Sequence, residues 1–385
     1  MWEFTTPRTI VTGEDSLEYL KVVEGKRALI VTDRVIHELG FVEKVAKYLK
    51  EAGMDVKVFD EVEPDPSIET VMKGAGVAKE YGPDWFVALG GGSCQDAAKA
   101  IWVLYERPDI EVGEISPLIN LGLRKKARLI SIPTTSGTGS EVTWAVVITD
   151  AKERRKMELA SKETTADISI LNPGFAFSMP PSLTADTGID ALTHAIEAYV
   201  SQWRNDFSDA LAIKAIEIVF GYLPKSYRKP EDKEAREKMH YAATMAGLAF
   251  SNSQIGIAHA MGHSLGALFN IPHGRTVAVV LPYTIKYSAR EAMGRYADIA
   301  RVIGIKSESD QKAVDELIVA VRGLLQEVDE PRSIADIGIS WENYRNELDG
   351  LVQRAMESTA TIANPRVLTV EEYRKLFIYA FKGEE

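Results

Sequence analysis

Hydrophobic and polar positions follow two regular patterns in the first half of the chain. Short apolar runs with the length and composition of β-strands occur at residues 27–33, 55–62, 84–93 and 127–135. Apolar side chains at helical spacing occupy the intervening residues 37–53, 67–82 and 95–106. Strands that alternate with helices in this way predict a parallel sheet with helices on both of its faces.

After the prolines at 180 and 181 the pattern changes to one helix after another. Strand signals are nearly absent there, and helical spacing occurs at residues 183–201, 209–223, 234–250 and 259–274. We therefore predict an α/β domain at residues 1–181 and an all-helical domain at residues 182–385. A cleft between two such domains is a common place for a ligand.

Length, net charge and cysteine content limit the classes of protein to which the chain can belong. A chain of 385 residues suggests two domains, and a net charge of −11 argues against a nucleic-acid partner. We expect no membrane insertion, because no segment approaches the roughly 20 apolar residues of a membrane span. The N-terminus lacks the pattern of a secretory signal, and the single cysteine excludes an intrachain disulfide. These features together predict a cytoplasmic protein.

A glycine cluster follows the third recognisable strand. Gly90, Gly91 and Gly92 stand between that strand and a helix, where backbone N–H groups can approach a pyrophosphate closely. Ser93 adds a hydroxyl donor. We favour phosphate binding over a plain strand–helix turn. The arrangement differs from the usual dinucleotide fingerprint, which follows the first strand of its unit.

Two further strand ends carry polar side chains that suit a nucleotide. Asp33 ends the first recognisable strand, where a carboxylate can accept hydrogen bonds from ribose hydroxyls and would repel a 2′-phosphate, which favours NAD over NADP. A helix cap is the other interpretation of Asp33. The loop at 133–141 offers hydroxyls to ribose or phosphate, although a plain turn explains it equally well; they belong to Thr134, Thr135, Thr138 and Ser140.

Metal-ligand residue types are concentrated in the helical half. Asp190 and His194 are four residues apart and share one helix face, and His259 and His263 repeat that spacing. His273 follows in the sequence Ile-Pro-His-Gly, which we expect to be a loop just before a helix. Oxygen and imidazole ligands without thiolate suit Fe(II), Zn(II), Mn(II) or Co(II). These five candidates are one more than the four ligands of a tetrahedral metal site. One of them could therefore have a role other than binding the metal.

Four motifs together resemble the iron-containing (group III) alcohol dehydrogenase family. They are GGGSCQDAAKA, PTTSGTGSEVT, TGIDALTHAIEAY and HAMGHSLGALFNIPHG, in this order. The resemblance covers essentially the whole chain. It implies a Rossmann-like dinucleotide-binding domain followed by an all-α metal-binding domain, the two-domain architecture of dehydroquinate synthases, with the active site between the domains.

The resemblance also implies roles for particular residues. The metal ligands would be Asp190, His194, His259 and His273. His263 would lie near substrate and nicotinamide, where it is suited to carry the released proton, since histidine ordinarily titrates near neutrality. The nucleotide contacts would be Asp33, Asp65, Gly91, Gly92, Ser93, Thr134, Thr135, Thr138 and Lys156. Asp65 and Lys156 lie in segments that match the family less directly.

The implied activity is that of a metal-dependent alcohol dehydrogenase or aldehyde reductase. Hydride would pass from a metal-bound alkoxide to NAD, with Fe(II) as the metal and Zn(II) as the alternative. Short primary alcohols, diols or their aldehydes fit the family as substrates. Family members form homodimers or larger homo-oligomers.

Three alternatives remain open. A glycerol dehydrogenase-like enzyme would usually use zinc. A dehydroquinate synthase-like lyase would need a cluster of lysines and arginines at its pocket, whereas the metal motifs here have apolar and small neighbours. A non-catalytic metal- or nucleotide-binding protein is the third. Cys94 departs from the family pattern; we interpret it as a small side chain in a tight turn rather than a reactive thiol.

Overall fold

The computed structural model describes residues 3–153 and 155–383. The chain divides into two compact units. The sheet unit consists of Thr5–Thr135 and Gly139–Ser178. The helical unit consists of Met179–Glu385 together with Ser136–Thr138 and Met1–Phe4.

The sheet unit alternates strands and helices. Its strands are β1 (Thr9–Thr12), β2 (Arg27–Val31), β3 (Asp55–Phe59), β4 (Trp85–Gly90), β5 (Arg128–Pro133), β6 (Ala145–Asp150), β7 (Arg155–Ala160) and β8 (Ile168–Leu171). Its α-helices are α1 (Arg34–Glu38), α2 (Phe41–Glu51), α3 (Ile68–Tyr81) and α4 (Gly92–Glu106). Strands β6 and β7 form a separate antiparallel pair.

The other six strands form one sheet in the order β1-β8-β5-β4-β2-β3, and every pair in it is parallel. Both faces are covered, so alternate residues of a strand enter different cores: Phe86 packs with the helices α3 and α4, whereas Val87 packs with α2. Burial on both faces explains why β4 reads as a continuous apolar run. The predicted parallel sheet is confirmed.

Several local predictions differ from the structure. The predicted helix at 37–53 is two helices, because Gly40 adopts a left-handed conformation with φ of 76° between α1 and α2. The strands β2, β3, β4 and β5 end two to three residues earlier than their apolar runs suggest. The strands β1, β6, β7 and β8 were not predicted; β1 and β8 have only four residues each.

The helical unit contains the predicted succession of helices. They are α5 (Pro181–Val200), α6 (Asp206–Arg228), α7 (Lys233–Ser251), α8 (Ile257–Phe269), α9 (His273–Val302), α10 (Asp310–Glu327), α11 (Trp341–Glu357) and α12 (Val370–Lys382). Pro181 occupies the first turn of α5, where its missing N–H costs nothing. One apolar core joins these helices, with Ile189, Leu192 and Ile196 of α5 fully buried. Across the described ranges, none of the helices is both long enough and apolar enough to span a membrane.

The sheet order places a topological switch point between β2 and β4. From β2 the chain first adds β3 on one side and then β4 on the other. Connections leaving β2 and β4 therefore run in opposite directions and open a crevice at the carboxyl ends of these strands. Asp33 follows β2 and the glycine cluster follows β4, so both lie at this crevice.

Candidate metal centre and nucleotide-binding loops

Three helices of the helical unit bring the predicted metal ligands together. Asp190 and His194 lie one turn apart on α5, and His259 lies in the first turn of α8. His273 is the first residue of α9 rather than part of a loop, because Pro272 is the residue that precedes the helix. Asp190, His194 and His259 are buried, and His273 is partly exposed.

The histidine rings surround one carboxylate oxygen. Asp190 Oδ1 lies 3.4 Å from His273 Nε2, 3.5 Å from His259 Nε2 and 3.8 Å from His194 Nδ1. Two ligands bound about 2.1 Å from one ion in a tetrahedral shell lie about 3.4 Å apart. The tightest group is Asp190, His259 and His273, whose ligand atoms lie within 4.8 Å of one another, and His194 stands beside it.

Several buried polar atoms of this group have no hydrogen-bond partner, and they show whether the group could hold a metal ion. Asp190 Oδ1, His194 Nδ1 and His259 Nε2 are buried and have no hydrogen-bond partner. A buried polar atom without a partner is costly, so such atoms are rare unless another group satisfies them. The two ring nitrogens lie within 3.8 Å of the third atom, Asp190 Oδ1. One carboxylate oxygen and imidazole nitrogens are ligand types that Fe(II) and Zn(II) bind. The residues therefore fit a divalent metal ion.

The pKa shifts of the four candidate ligands concern the same metal site. Burial alone would raise the pKa of Asp190, but His194 and His273 hold it well below its usual range. Burial is the largest effect on His194 and His273 and lowers the pKa of both rings. For His259, burial lowers the pKa but Glu197 and Asp190 raise it to about 9. Metal binding at His259 would then release a proton.

His263 lies next to this group without belonging to its tightest set. Its ring centroid is 5.0 Å from that of His273 and 5.9 Å from that of His259. Both His259 and His263 are on α8, and His259 belongs to the tightest group, with its Nε2 3.5 Å from Asp190 Oδ1. Helical spacing placed the two histidines on one face, whereas the packing of α5 against the start of α8 brings His259 to Asp190.

Gly274 allows the start of α9 to approach α5. A Cβ at this position would lie 2.1 Å from the backbone oxygen of Asp186, and backbone cannot move aside as a flexible side chain can. Only glycine fits here without a shift of one helix. The contact holds His273, the preceding residue, against the helix that carries Asp190.

Gly274→Ala is expected to lower both stability and metal content. Overpacking of this kind costs about 1–3 kcal/mol, and a displaced α9 would carry His273 away from Asp190. Thermal unfolding and elemental analysis of the purified variant test this. Gly221→Ala is the matched control, since the space around Gly221 of α6 is open and alanine should be neutral or slightly stabilising there. An alanine at 274 with full metal content would contradict the packing argument.

Asp186 lies one turn before Asp190 on α5 and forms a pair of buried carboxyl groups with Glu330, which follows α10. Arg275 Nε is 3.2 Å from Asp186 Oδ1 and 3.7 Å from Glu330 Oε2. Burial first, and then the charge of Asp186, raise the pKa of Glu330 to about 8. Arg275 follows His273 by two residues, so this group ties the start of α9 to α5.

The raised pKa of Glu330 predicts a pH-dependent stability. Its unfolded pKa is about 4.3, so between about pH 4 and pH 8 the folded state holds a proton that the unfolded state releases. The resulting stability is fully present below pH 4 and is lost as the pH rises through 8. Glu330→Gln imitates the protonated form, and we expect it to raise the unfolding temperature at pH 8.5 by at least roughly 3 °C, with little effect at pH 5.

Thermal unfolding at the two pH values measures this difference under identical metal conditions. The control is Glu327→Gln, since Glu327 is half-exposed and pairs with Arg228 at the surface, where the exchange should matter little at either pH. Equal effects of the Glu330 and Glu327 exchanges would refute the prediction.

In the sheet unit, Asp33 uses both carboxylate oxygens. Oδ1 accepts from the Ile36 N–H at 2.9 Å and caps α1, and Oδ2 accepts from the Cys94 thiol at 3.2 Å. The cap interpretation is therefore correct, and it leaves lone pairs of the same carboxylate at the switch-point crevice. Burial and the charge of Asp33 raise the pKa of Cys94 well above its usual value. The buried thiol and its raised pKa favour the interpretation of Cys94 as a small side chain in a tight turn.

The glycine cluster opens α4 without a side-chain cap. Gly91 precedes the helix in an extended conformation, and no side chain bonds to the first N–H groups of α4. A Cβ on Gly91 would lie 3.2 Å from the Thr135 side chain, so the glycine preserves a narrow space there. The helix N-terminus consequently presents N–H groups and the positive end of its dipole, as a pyrophosphate requires.

Asp65 and Lys156 lie beside this cluster. The Asp65 N–H donates to Ser93 Oγ at 3.3 Å, and Lys156 Nζ lies 2.6 Å from Asp65 Oδ1. Asp65 adopts a φ of 54°, which aspartate tolerates better than most residues. The Thr134 N–H donates to the Gly90 carbonyl at 3.2 Å. The structure thus brings eight of the nine predicted nucleotide contacts to one edge of the sheet, whereas Thr138 belongs to the helical unit.

The buried Lys99 and the partly buried Asp96 lie under this edge, and neither was predicted from the sequence. Lys99 Nζ donates to Ser140 Oγ at 3.0 Å and to the Ala145 carbonyl at 3.0 Å, and Asp96 accepts from Ser140 and from the Val147 N–H. Burial lowers the pKa of Lys99 to about 8 and raises that of Asp96. The two residues hold the segment after the threonine loop against α4. The sequence did contain a sign of this pair, because Asp96 and Lys99 stand three residues apart in a helix otherwise rich in alanine.

Glu197 is a third charged residue near the candidate sites that was not predicted from the sequence. It is buried and bonds to the ring of His259 and to the start of α8. The signal was present in α5, because Asp190, His194 and Glu197 follow one another at the i, i+4, i+7 spacing of a single helix face.

Comparison with protein families matches both parts of the chain. Residues 7–173 match the sequence model for iron-containing alcohol dehydrogenase. Residues 184–381 match that for the C-terminal part of the Fe-containing alcohol dehydrogenase family. Together the two matches cover nearly the whole chain.

Individual relatives and solved structures agree with these matches. The NADPH-dependent butanol dehydrogenase of Clostridium saccharobutylicum is 46% identical over 387 residues, which are 100% of this chain and 99% of that protein. The lactaldehyde reductase of Escherichia coli (strain K12) is 38% identical over 91% of both chains. The iron-containing alcohol dehydrogenase structure from Thermococcus thioreducens superposes with a TM-score of 0.91 at 35% identity, covering 100% of both chains.

Proposed function

The chain belongs to the iron-containing alcohol dehydrogenase family, and from that premise we propose that it interconverts short primary alcohols or diols and their aldehydes with NAD(H) as the hydride carrier. It is a metal-dependent alcohol dehydrogenase or aldehyde reductase. The observation that carries the specific proposal is the convergence of three histidine rings on the unpartnered Oδ1 of Asp190.

In this proposal Asp190, His194, His259 and His273 hold the metal. The division of labour between the nucleotide-binding residues 1–181 and the metal-binding residues 182–385 is part of the same proposal. Fe(II) is the proposed ion, on the family and on the ligand set of one carboxylate and three imidazoles, and Zn(II) is the alternative. A bound divalent ion supplies Lewis acidity toward an alcohol or carbonyl oxygen.

The residues at the sheet edge are proposed to bind and orient the nucleotide. The N–H groups of Gly92 and Ser93 would receive the pyrophosphate at the start of α4. The carboxylate of Asp33 would accept from the ribose hydroxyls and disfavour a 2′-phosphate, which is why we propose NAD rather than NADP. The remaining proposed contacts are Asp65, Gly91, Thr134, Thr135, Thr138 and Lys156.

His263 is proposed to carry the proton that alcohol oxidation releases. Its partly exposed ring stands next to the rings of His259 and His273, so it reaches both the metal group and the solvent side of α8. A positioned histidine contributes about 10²- to 10⁴-fold to a proton-transfer step. The homo-oligomeric assembly and the cytoplasmic location remain predictions from the sequence.

A substrate panel tests the proposal. The full-length enzyme, reconstituted with Fe(II) or Zn(II) after anaerobic purification and elemental analysis, is offered short primary alcohols, diols and aldehydes with NAD or NADH. We expect NADH absorbance to change with at least one alcohol–aldehyde pair and only in metal-loaded protein. Absence of turnover with every alcohol and aldehyde would contradict the proposal and favour a non-catalytic binding protein.

A further inference from the structure

Glu197 links the two helices that carry most of the candidate metal ligands. It lies on α5, three residues after His194, and its carboxylate is directed at the start of α8. The side chain is buried, with 5% of its surface exposed. A buried carboxylate needs several hydrogen bonds to offset its lost hydration.

Three donors converge on this carboxylate. Oε2 accepts from the Gly256 N–H at 2.8 Å, and Oε1 accepts from the Ala258 N–H at 2.7 Å. His259 Nδ1 lies 2.5 Å from Oε2. The packing is tight enough that a Cβ on Gly256 would lie 2.8 Å from Oε1.

These bonds decide the tautomer of His259. A carboxylate can only accept hydrogen bonds, so Nδ1 of His259 carries the proton. The other ring nitrogen, Nε2, is then the one directed at Asp190 Oδ1, 3.5 Å away, and it has no partner. Glu197 therefore holds the imidazole in the orientation and tautomer in which Nε2 can accept a metal ion.

We propose that Glu197 is a positioning residue for the metal centre, which acts through His259 by fixing the tautomer and the orientation of its ring. The inference rests on the proposed role of His259 as a metal ligand. Carboxylates that accept from the second nitrogen of a ligating histidine typically strengthen metal binding by about 10- to 100-fold. A helix cap alone would not affect the metal.

The test measures Zn(II) affinity of the metal-free full-length protein by competition with a chromophoric chelator. In Glu197→Gln we expect the Zn(II) dissociation constant to rise by about 10- to 100-fold. Asn364→Ala is the matched control, because Asn364 Oδ1 also accepts at the start of α8, from the Ile257 N–H at 3.4 Å, without a bond to His259. That variant should weaken Zn(II) binding by no more than about threefold while lowering the unfolding temperature.

His259→Ala separates the inference from its premise. Wild-type affinity in Glu197→Gln together with a large loss in His259→Ala overturns the role of Glu197 and leaves the ligand set intact. Wild-type affinity in both variants overturns the ligand role of His259 itself.

A spectroscopic measurement on the wild-type protein keeps the proposal testable if Glu197→Gln does not fold. Nitrogen-15 labelling of the six histidines, with His259→Ala for assignment, reports the tautomer in Zn(II)-loaded enzyme. We expect a protonated Nδ1 on His259 with a strongly hydrogen-bonded proton. A metal-bound or unprotonated Nδ1 would overturn the inference.

Discussion

His259→Ala is expected to abolish stable metal binding and with it the alcohol dehydrogenase activity. The ring of His259 is buried, and its Nε2 lies 3.5 Å from Asp190 Oδ1. Loss of a direct ligand should weaken binding by more than the roughly 100-fold that loss of a supporting residue can cost. Elemental analysis after desalting and steady-state NADH formation measure the two effects.

The matched control is the neighbouring histidine of the same helix. We expect His263→Ala to retain the metal and to lower kcat by about 10²- to 10⁴-fold, the range in which a positioned proton carrier contributes. The centroid of the His263 ring is only 5.9 Å from that of His259, so a non-specific disturbance of α8 would affect both variants alike. Equal metal loss in the two variants would refute their separate roles.

Asp33→Asn is expected to shift the cofactor preference from NADH toward NADPH. Asparagine caps a helix about as well as aspartate, so the α1 cap at Ile36 should survive while the negative charge is removed. Because hydrogen bonds to charged groups contribute about 1.5–3 kcal/mol, the ratio of kcat/KM for NADH over NADPH should fall by about 10- to 100-fold. Steady-state kinetics with both cofactors give this ratio.

Asp60→Asn provides the control for charge at the same sheet edge. Asp60 follows β3 as Asp33 follows β2, but it pairs with His37 at the surface, with 2.6 Å between Asp60 Oδ2 and His37 Nδ1. We expect the cofactor ratio to stay unchanged in this variant. A wild-type enzyme that uses NADPH better than NADH, as the name of the Clostridium saccharobutylicum relative suggests for that protein, would make the assignment of Asp33 wrong.

Much of the fold could be predicted because local patterns reflect local structure. The apolar run of β4 required burial on both faces, and that requirement alone implied a parallel sheet under helices. The division of residues 37–53 into α1 and α2 could not be predicted, because Gly40 at helical spacing is compatible with a continuous helix until the packing against the sheet bends the chain. The edge strand β1 pairs only with β8, which is distant in sequence.

The candidate site shows the same distinction at the level of single atoms. Helical periodicity by itself placed Asp190 with His194, and His259 with His263, because residues four apart share a helix face whatever surrounds them. Helical periodicity alone made His259 and His263 equally plausible as metal ligands. The packing of α5 against the start of α8 places His259 Nε2 3.5 Å from Asp190 Oδ1, and Gly274 lets the start of α9 bring His273 to the same oxygen. The His263 ring lies beside this group.

The sequence by itself determined which residue types were available and how each helix and strand presents them, since these depend on neighbours along the chain. The tertiary structure alone decided which of them meet. Glu197 and His259 are 62 residues apart, and their hydrogen bond exists because α5 and the start of α8 pack against each other. Contacts of this kind depend on the packing of a whole core, which no local pattern of hydrophobic and polar residues specifies.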